Sequence, residues 1–246
     1  MQLQTSTWQE VETYLESSTA LVIPIGATEQ HGPNGLIGTD AICPETVAKK
    51  VGDSLGALVA PTLSVGMSQH HMAFAGTVTL RPSTLIAVVR DVAESLARHG
   101  FEALYFLNGH GGNIATVNAA FGEIYASGLL TGGGGPVRLR LRNWWSGERV
   151  NKLGTKLFGK SDGAHATASE VSLSWFAHPE AVKSVEMSPK VAPYGPIRDA
   201  DDYRRRFPDG RIGSDPSLAS VEAGEELCAA AVADVEDDYR KFLTAR

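Results

Sequence analysis

Ala103-Leu104-Tyr105-Phe106-Leu107 runs without a break into Asn108-Gly109-His110-Gly111-Gly112-Asn113, and a helical pattern follows at once, with Ile114, Val117, Phe121 and Ile124 on one face up to Gly128. A short apolar run, a glycine-rich turn and an amphipathic helix are the signature of a strand buried on both faces in a parallel sheet. Three more runs read as strands: Leu21-Val22-Ile23-Pro24-Ile25, Ala57-Leu58-Val59-Ala60 and Val137 to Arg142. The last alternates one apolar and one basic face. Pro24 places the first of them at a strand start or a sheet edge, because proline cannot donate to the ladder.

Helices fill the intervals. Ser83 can cap one that carries Leu85, Val88, Val89, Val92 and Leu96 and closes at Gly100. A short helix is predicted from Ser169 to about Ala177, and a long Ala/Glu-rich one from Ser217 to Leu243. Alternating strands and helices predict an α/β fold with a mostly parallel sheet. Gly132 to Gly135 reads as a turn. Residues 188–214, rich in Pro, Gly, Asp and Arg, are too long for an ordinary loop and read as a surface excursion or a subunit-contact arm. No repeat or composition shift divides the 246 residues, so 1–246 reads as a single domain.

The composition narrows the function. With 43% hydrophobic residues the chain can bury a core, and a net charge of −6 gives no basic stripe for a nucleic-acid backbone. Two cysteines, Cys43 and Cys228, exclude a disulfide scaffold and a cysteine zinc module and suit a reducing, cytoplasmic setting. No apolar run has membrane-spanning length.

The chemistry-bearing residues gather at strand ends. Glu29 and His31, two apart beyond the first strand, point the same way in an extended segment. Asp40 follows after a loop with Gly35 and Gly38, His110 lies among glycines beyond the third strand, and His165 and Glu170 flank the entry of the short helix at Ser169. Singly these have plain readings: a surface pair, a helix-entry histidine, a first-turn carboxylate favoured by the helix dipole. Together they suit Zn²⁺ or Mn²⁺, since ligands converge at strand carboxyl ends in an open parallel sheet. Asp40 could bridge two ions, which would lower the pKa of a water between them. His70 and His71 leave open which of them lines a pocket, with His71 preferred. Of the adjacent Trp144 and Trp145, only one can face the core.

These motifs resemble the creatininase (creatinine amidohydrolase) family. The resemblance rests on Pro24-Ile25-Gly26-Ala27-Thr28-Glu29-Gln30-His31-Gly32, Thr39-Asp40, Phe74-Ala75-Gly76-Thr77, Asn108-Gly109-His110-Gly111-Gly112-Asn113 and His165 with Glu170 five residues on, and spans roughly residues 10–180. It implies a three-layer α/β/α fold, two divalent metal ions per chain and a homo-oligomer, often a hexamer. It implies that Glu29, Asp40 and His110 hold one ion, and that His31, the bridging Asp40 and a further glutamate hold the second. In creatininase that glutamate lies where this chain has Gly112; in other branches it matches Glu170. His165 matches the acid/base histidine at the scissile C–N bond, and Trp144 or Trp145 a substrate-covering aromatic. The implied activity is metal-dependent hydrolysis of a small amide, cyclic amide or formamide. The family also holds a peptide-maturing peptidase and a hydrolase of a cyclic ketone, and Gly112 argues against creatinine itself.

Overall fold

The computed structural model describes residues 1–128, 131–132 and 135–244. The strands are β1 (Ala20–Ile25), β2 (Leu58–Val59), β3 (Ala103–Asn108), the two-residue β4 (Thr131–Gly132) and β5 (Gly135–Pro136), and β6 (Arg138–Asn143). The helices are α1 (Trp8–Leu15), α2 (Thr39–Leu55), α3 (Pro82–Arg98), α4 (Asn113–Ser127), α5 (Glu148–Phe158), α6 (Ala168–Ala177), α7 (Ala200–Arg206) and α8 (Val221–Thr244). The main sheet has the order β2-β1-β3-β6, parallel throughout, with Ile25 opposite Asn108 and Asn108 opposite Asn143. β4 and β5 form a separate antiparallel pair; the middle of the predicted glycine turn, Gly133 and Gly134, lies outside the described residues.

Alternation along the strands builds the three layers. Leu21, Ile23 and Ile25 of β1 and Leu104 and Phe106 of β3 face α3 and α4, where Leu85, Val89, Val117 and Phe121 complete one core. Ala20, Val22, Ala103, Tyr105 and Leu107 face the opposite way, onto Val47 and Val51 of α2, Leu173 of α6 and Leu227 and Val235 of α8. Burying each large apolar side chain contributes about 1.5–3 kcal/mol. The fold is thus the expected α/β/α, with helices on both faces of a parallel sheet.

Pro24 does not mark an edge. β1 is central, between β2 and β3. Proline fits there because β2 has only two residues: the Pro24 carbonyl accepts from Leu63 N at 2.9 Å, while the missing N–H falls where β2 has already ended. Residues 188–214 are likewise no outlying excursion. They fold back on their own chain, with Tyr203, Phe207 and Arg211 buried. The Arg211 guanidinium binds the carbonyls of Pro189 (2.7 Å), Lys190 (2.9 Å) and Ser214 (3.1 Å) and pairs with Asp209, which satisfies an otherwise costly buried charge.

The chain steps from β1 out to β2 and then returns across β1 to β3, so the sheet reverses direction between β1 and β3. A crevice opens at such a reversal, beyond the carboxyl ends of the two strands. Here α2 enters it. A Cβ on Gly26, after β1, or on Gly109, after β3, would overlap the Asp40 carbonyl oxygen in the first turn of α2. Pro44, four residues on, brings no N–H to that carbonyl and packs against Gly109. Two glycines and a proline therefore let a helix start rest directly on two strand ends. Substituting Gly109→Ala should cost about 1–3 kcal/mol by overpacking and displace Asp40. Denaturant melts check this, and a wild-type midpoint would contradict it.

Candidate metal centre

The crevice holds the predicted residues. Glu29 and His31 follow β1, His110 follows β3, Asp40 lies in the first turn of α2, and Glu170 in the first turn of α6. Glu29, Asp40 and His110 form one group whose potential ligand atoms lie within 4.8 Å of one another, and His31, Asp40 and Glu170 form a second. Asp40 belongs to both. Its Oδ1 lies 3.1 Å from His31 Nε2 and its Oδ2 lies 2.8 Å from His110 Nδ1. Glu170 Oε1 is 3.8 Å from His31 Nε2.

The far nitrogen of each ring is tied to the main chain. His31 Nδ1 is 3.1 Å from the Glu29 carbonyl and His110 Nε2 is 2.9 Å from the Met67 carbonyl. A carbonyl only accepts, so each ring carries a proton there and turns its other nitrogen toward Asp40, where a cation or, in its absence, a second proton would sit. Histidines held in this way are oriented for metal ligation. Asp40 Oδ2 and Glu29 Oε2, both buried, have no hydrogen-bond donor. Buried carboxylate oxygens and imidazole nitrogens facing one another fit divalent cations.

Electrostatics points the same way. Burial, then the Asp40 charge, pushes Glu29 up to about 8, and burial pushes Glu170 up to about 7. For His31, burial pulls the imidazolium down, but Asp40, Glu170 and Glu29 together raise it to about 10. For His110 burial is likewise outweighed, by Glu29 and Asp40, and it rises to about 9. For Asp40 burial is outweighed by His31 and His110, which hold it well below the carboxylate range. Without cations, protons take their place.

Glu170 has a second task. With Thr167 it closes a capping box: Glu170 N donates to Thr167 Oγ1 at 3.1 Å and Thr167 N donates to Glu170 Oε1 at 2.6 Å. The first-turn reading and the ligand reading are thus compatible in one side chain. Gly112 leaves no room for a glutamate of its own, since a Cβ there would overlap His110 Nε2 and crowd the Met67 carbonyl.

A cavity of about 510 Å³ opens above the cluster. His165 borders it, presented by Ala166, whose φ of 52° is unusual for a residue with a Cβ, and by a bridge to Ile212. Trp144 is buried in the core and Trp145 half-buried, and both border the cavity. His71, the predicted lining histidine, also borders it, but both of its ring nitrogens are engaged: Nε2 is 3.1 Å from Glu29 Oε1 and Nδ1 is 3.0 Å from Gln30 Nε2. His70 lines the cavity too, stacked over His110. Asn151, Thr155, Asp162, Ile197 and Tyr203 also border it. None of these five was singled out from sequence; Tyr203 and Ile197 arrive from 188–214, which carries no motif.

The fold agrees with the comparisons. The creatininase profile, described as creatinine amidohydrolase, matches residues 4–238. The chain belongs to the creatininase family. It is 29% identical over 248 residues to the creatinine amidohydrolase of Pseudomonas putida, covering 93% of each chain. It is also 29% identical over 231 residues to the mycofactocin precursor peptide peptidase of Mycobacterium ulcerans, covering 87% of this chain and 82% of that one. The solved structure named "Creatininase Mn" superposes with a TM-score of 0.83 at 27% identity, over 99% of each chain.

The raised groups set a pH prediction for metal-stripped protein. Glu29, Glu170, His31 and His110 all bind protons more tightly folded than unfolded, where they titrate near 4.5 and 6.5. The stripped protein should lose stability as pH rises from about 6 to 9, because the folded state then gives up the protons that balance its cluster. Melting chelator-treated protein across that range checks this; a melting temperature that climbs with pH would contradict it.

Proposed function

We propose that this chain is a divalent-metal-dependent hydrolase of the C–N bond of a small amide, cyclic amide or formamide. The observation that carries the reading is the Asp40 carboxylate, with one oxygen turned to His31 Nε2 and the other to His110 Nδ1, while a main-chain carbonyl holds the far nitrogen of each ring. Glu29, Asp40 and His110 would hold one cation, and His31, Asp40 and Glu170 the other. Zinc or manganese suits this mixed nitrogen and oxygen set, and a structural neighbour is named as a manganese form. When bound, such ions polarise a carbonyl and make water a better acid.

The chain's own residues supply the rest. His165 donates from Nε2 to the Gln30 carbonyl at 2.9 Å, which leaves Nδ1 free to take a proton. Burial, then His31, holds its imidazolium well below the ordinary histidine range, so the ring rests neutral with Nδ1 unprotonated. In this reading it would accept a proton from the attacking water and return it to the leaving nitrogen. Trp144, Trp145 and Tyr203 wall the cavity with aromatic surface and restrict water. Among the described residues lining it there is no lysine or arginine, which favours an uncharged substrate over an anionic one. The peptidase relative supports a second reading, a peptide-bond substrate at the same centre.

Elemental mass spectrometry on protein purified without chelator should find about two ions per chain, and about one in Glu170→Ala. Zinc- or manganese-loaded protein should then hydrolyse members of a panel of neutral cyclic amides, formamides and short peptides. Its rate should drop about 10²–10⁴-fold in His165→Ala with metal content unchanged. Protein that takes up no metal, or a His165→Ala variant of full activity, would sink the reading.

A further inference from the structure

Gln30, between two of the cluster's residues, has a buried side chain. Oε1 accepts from Gly32 N at 2.9 Å and Nε2 donates to the Gly210 carbonyl at 3.0 Å. These main-chain partners cannot exchange roles, so the amide has one orientation. Nε2 keeps a second hydrogen, and three atoms lie near it: Tyr203 Oη at 3.2 Å, His165 Nε2 at 3.0 Å and His71 Nδ1 at 3.0 Å. His165 Nε2 carries the proton it gives to the Gln30 carbonyl, so it cannot accept. Tyr203 Oη, itself donating to the Gly210 carbonyl at 2.7 Å, is the more distant partner. The hydrogen goes to His71 Nδ1.

We propose that Gln30 is a positioning residue that selects the tautomers of two histidines, His71 through its side chain and His165 through its main-chain carbonyl. With Nδ1 of His71 occupied by the amide hydrogen, the ring proton must sit on Nε2, 3.1 Å from Glu29 Oε1. That bond fixes one oxygen of Glu29 and leaves the other, Oε2, without a donor and 3.3 Å from His110 Nε2 at the cluster. The relay runs from Gln30 to His71 to Glu29, and it determines which carboxylate oxygen is offered to a cation. This role rests on the metal-hydrolase reading, though the tautomers themselves do not.

The test is ¹⁵N NMR of protein labelled at histidine, with and without added zinc, the His71 and His165 signals assigned by their loss in His71→Gln and His165→Ala. The expected spectrum has a bare Nδ1 and a protonated Nε2 in both rings. A protonated Nδ1 on His71 in the wild type would overturn the proposal. In Gln30→Glu, nearly the same shape without amide hydrogens, His71 should shift its proton to Nδ1, and zinc affinity should fall about 10- to 100-fold, the usual loss when a ligand's support is removed. An unchanged His71 signal and unchanged affinity in that variant would also overturn it. If Gln30→Glu does not fold, the wild-type spectrum decides alone. Wild type that binds no zinc counts against the hydrolase reading instead, while the tautomers are read in the same sample.

Discussion

The close approach of the α2 helix start to the ends of β1 and β3 is the constraint on which the site depends. It brings Asp40 between His31 and His110 and lets one carboxylate face two imidazoles. The approach needs Gly26 and Gly109, because any Cβ at either position overlaps the Asp40 carbonyl. The sheet contributes the other half. Its reversal between β1 and β3 places the two loops that carry Glu29, His31 and His110 on the same rim.

Around this contact the chain has assembled a shell that fixes ring orientation. Main-chain carbonyls of Glu29 and Met67 hold the far nitrogens of His31 and His110, and the Gln30 carbonyl holds His165. Backbone acceptors cannot change protonation, so they are dependable orienters where the side chains around them all titrate. The 188–214 segment is anchored by the buried Arg211 and reaches the cavity with Ile197, Tyr203 and Ile212, so a motif-free stretch contributes much of the wall.

Much of the fold was legible because strands buried on both faces leave uninterrupted apolar runs, and all four runs became strands of the main sheet. The error at Pro24 came from judging a proline by its own strand, when the length of its neighbour β2 decided the matter. Helices α1, α2, α5 and α7 went unread: α2 holds Pro44 and many polar residues, and α5 is polar on average although Val150, Leu153 and Leu157 keep helical spacing. The convergence of Glu29, His31, Asp40, His110, His165 and Glu170 was legible because each follows a strand or opens a helix at the same rim. Gln30 was not. Its partners His71, His165 and Gly210 lie 41, 135 and 180 residues away, and nothing local in Glu29-Gln30-His31 distinguishes a hub from a spacer. His71 was expected to line the pocket; its commitment to Glu29 and Gln30 is a matter of long-range geometry.

The central claim is that Asp40 is shared between two cation positions. Crystals grown with manganese or zinc and measured on either side of the metal's absorption edge test it most directly. The account predicts two anomalous peaks flanking the Asp40 carboxylate, one toward His31 and Glu170 and one toward His110 and Glu29. A single peak held without Asp40, or none at saturating metal, would contradict it.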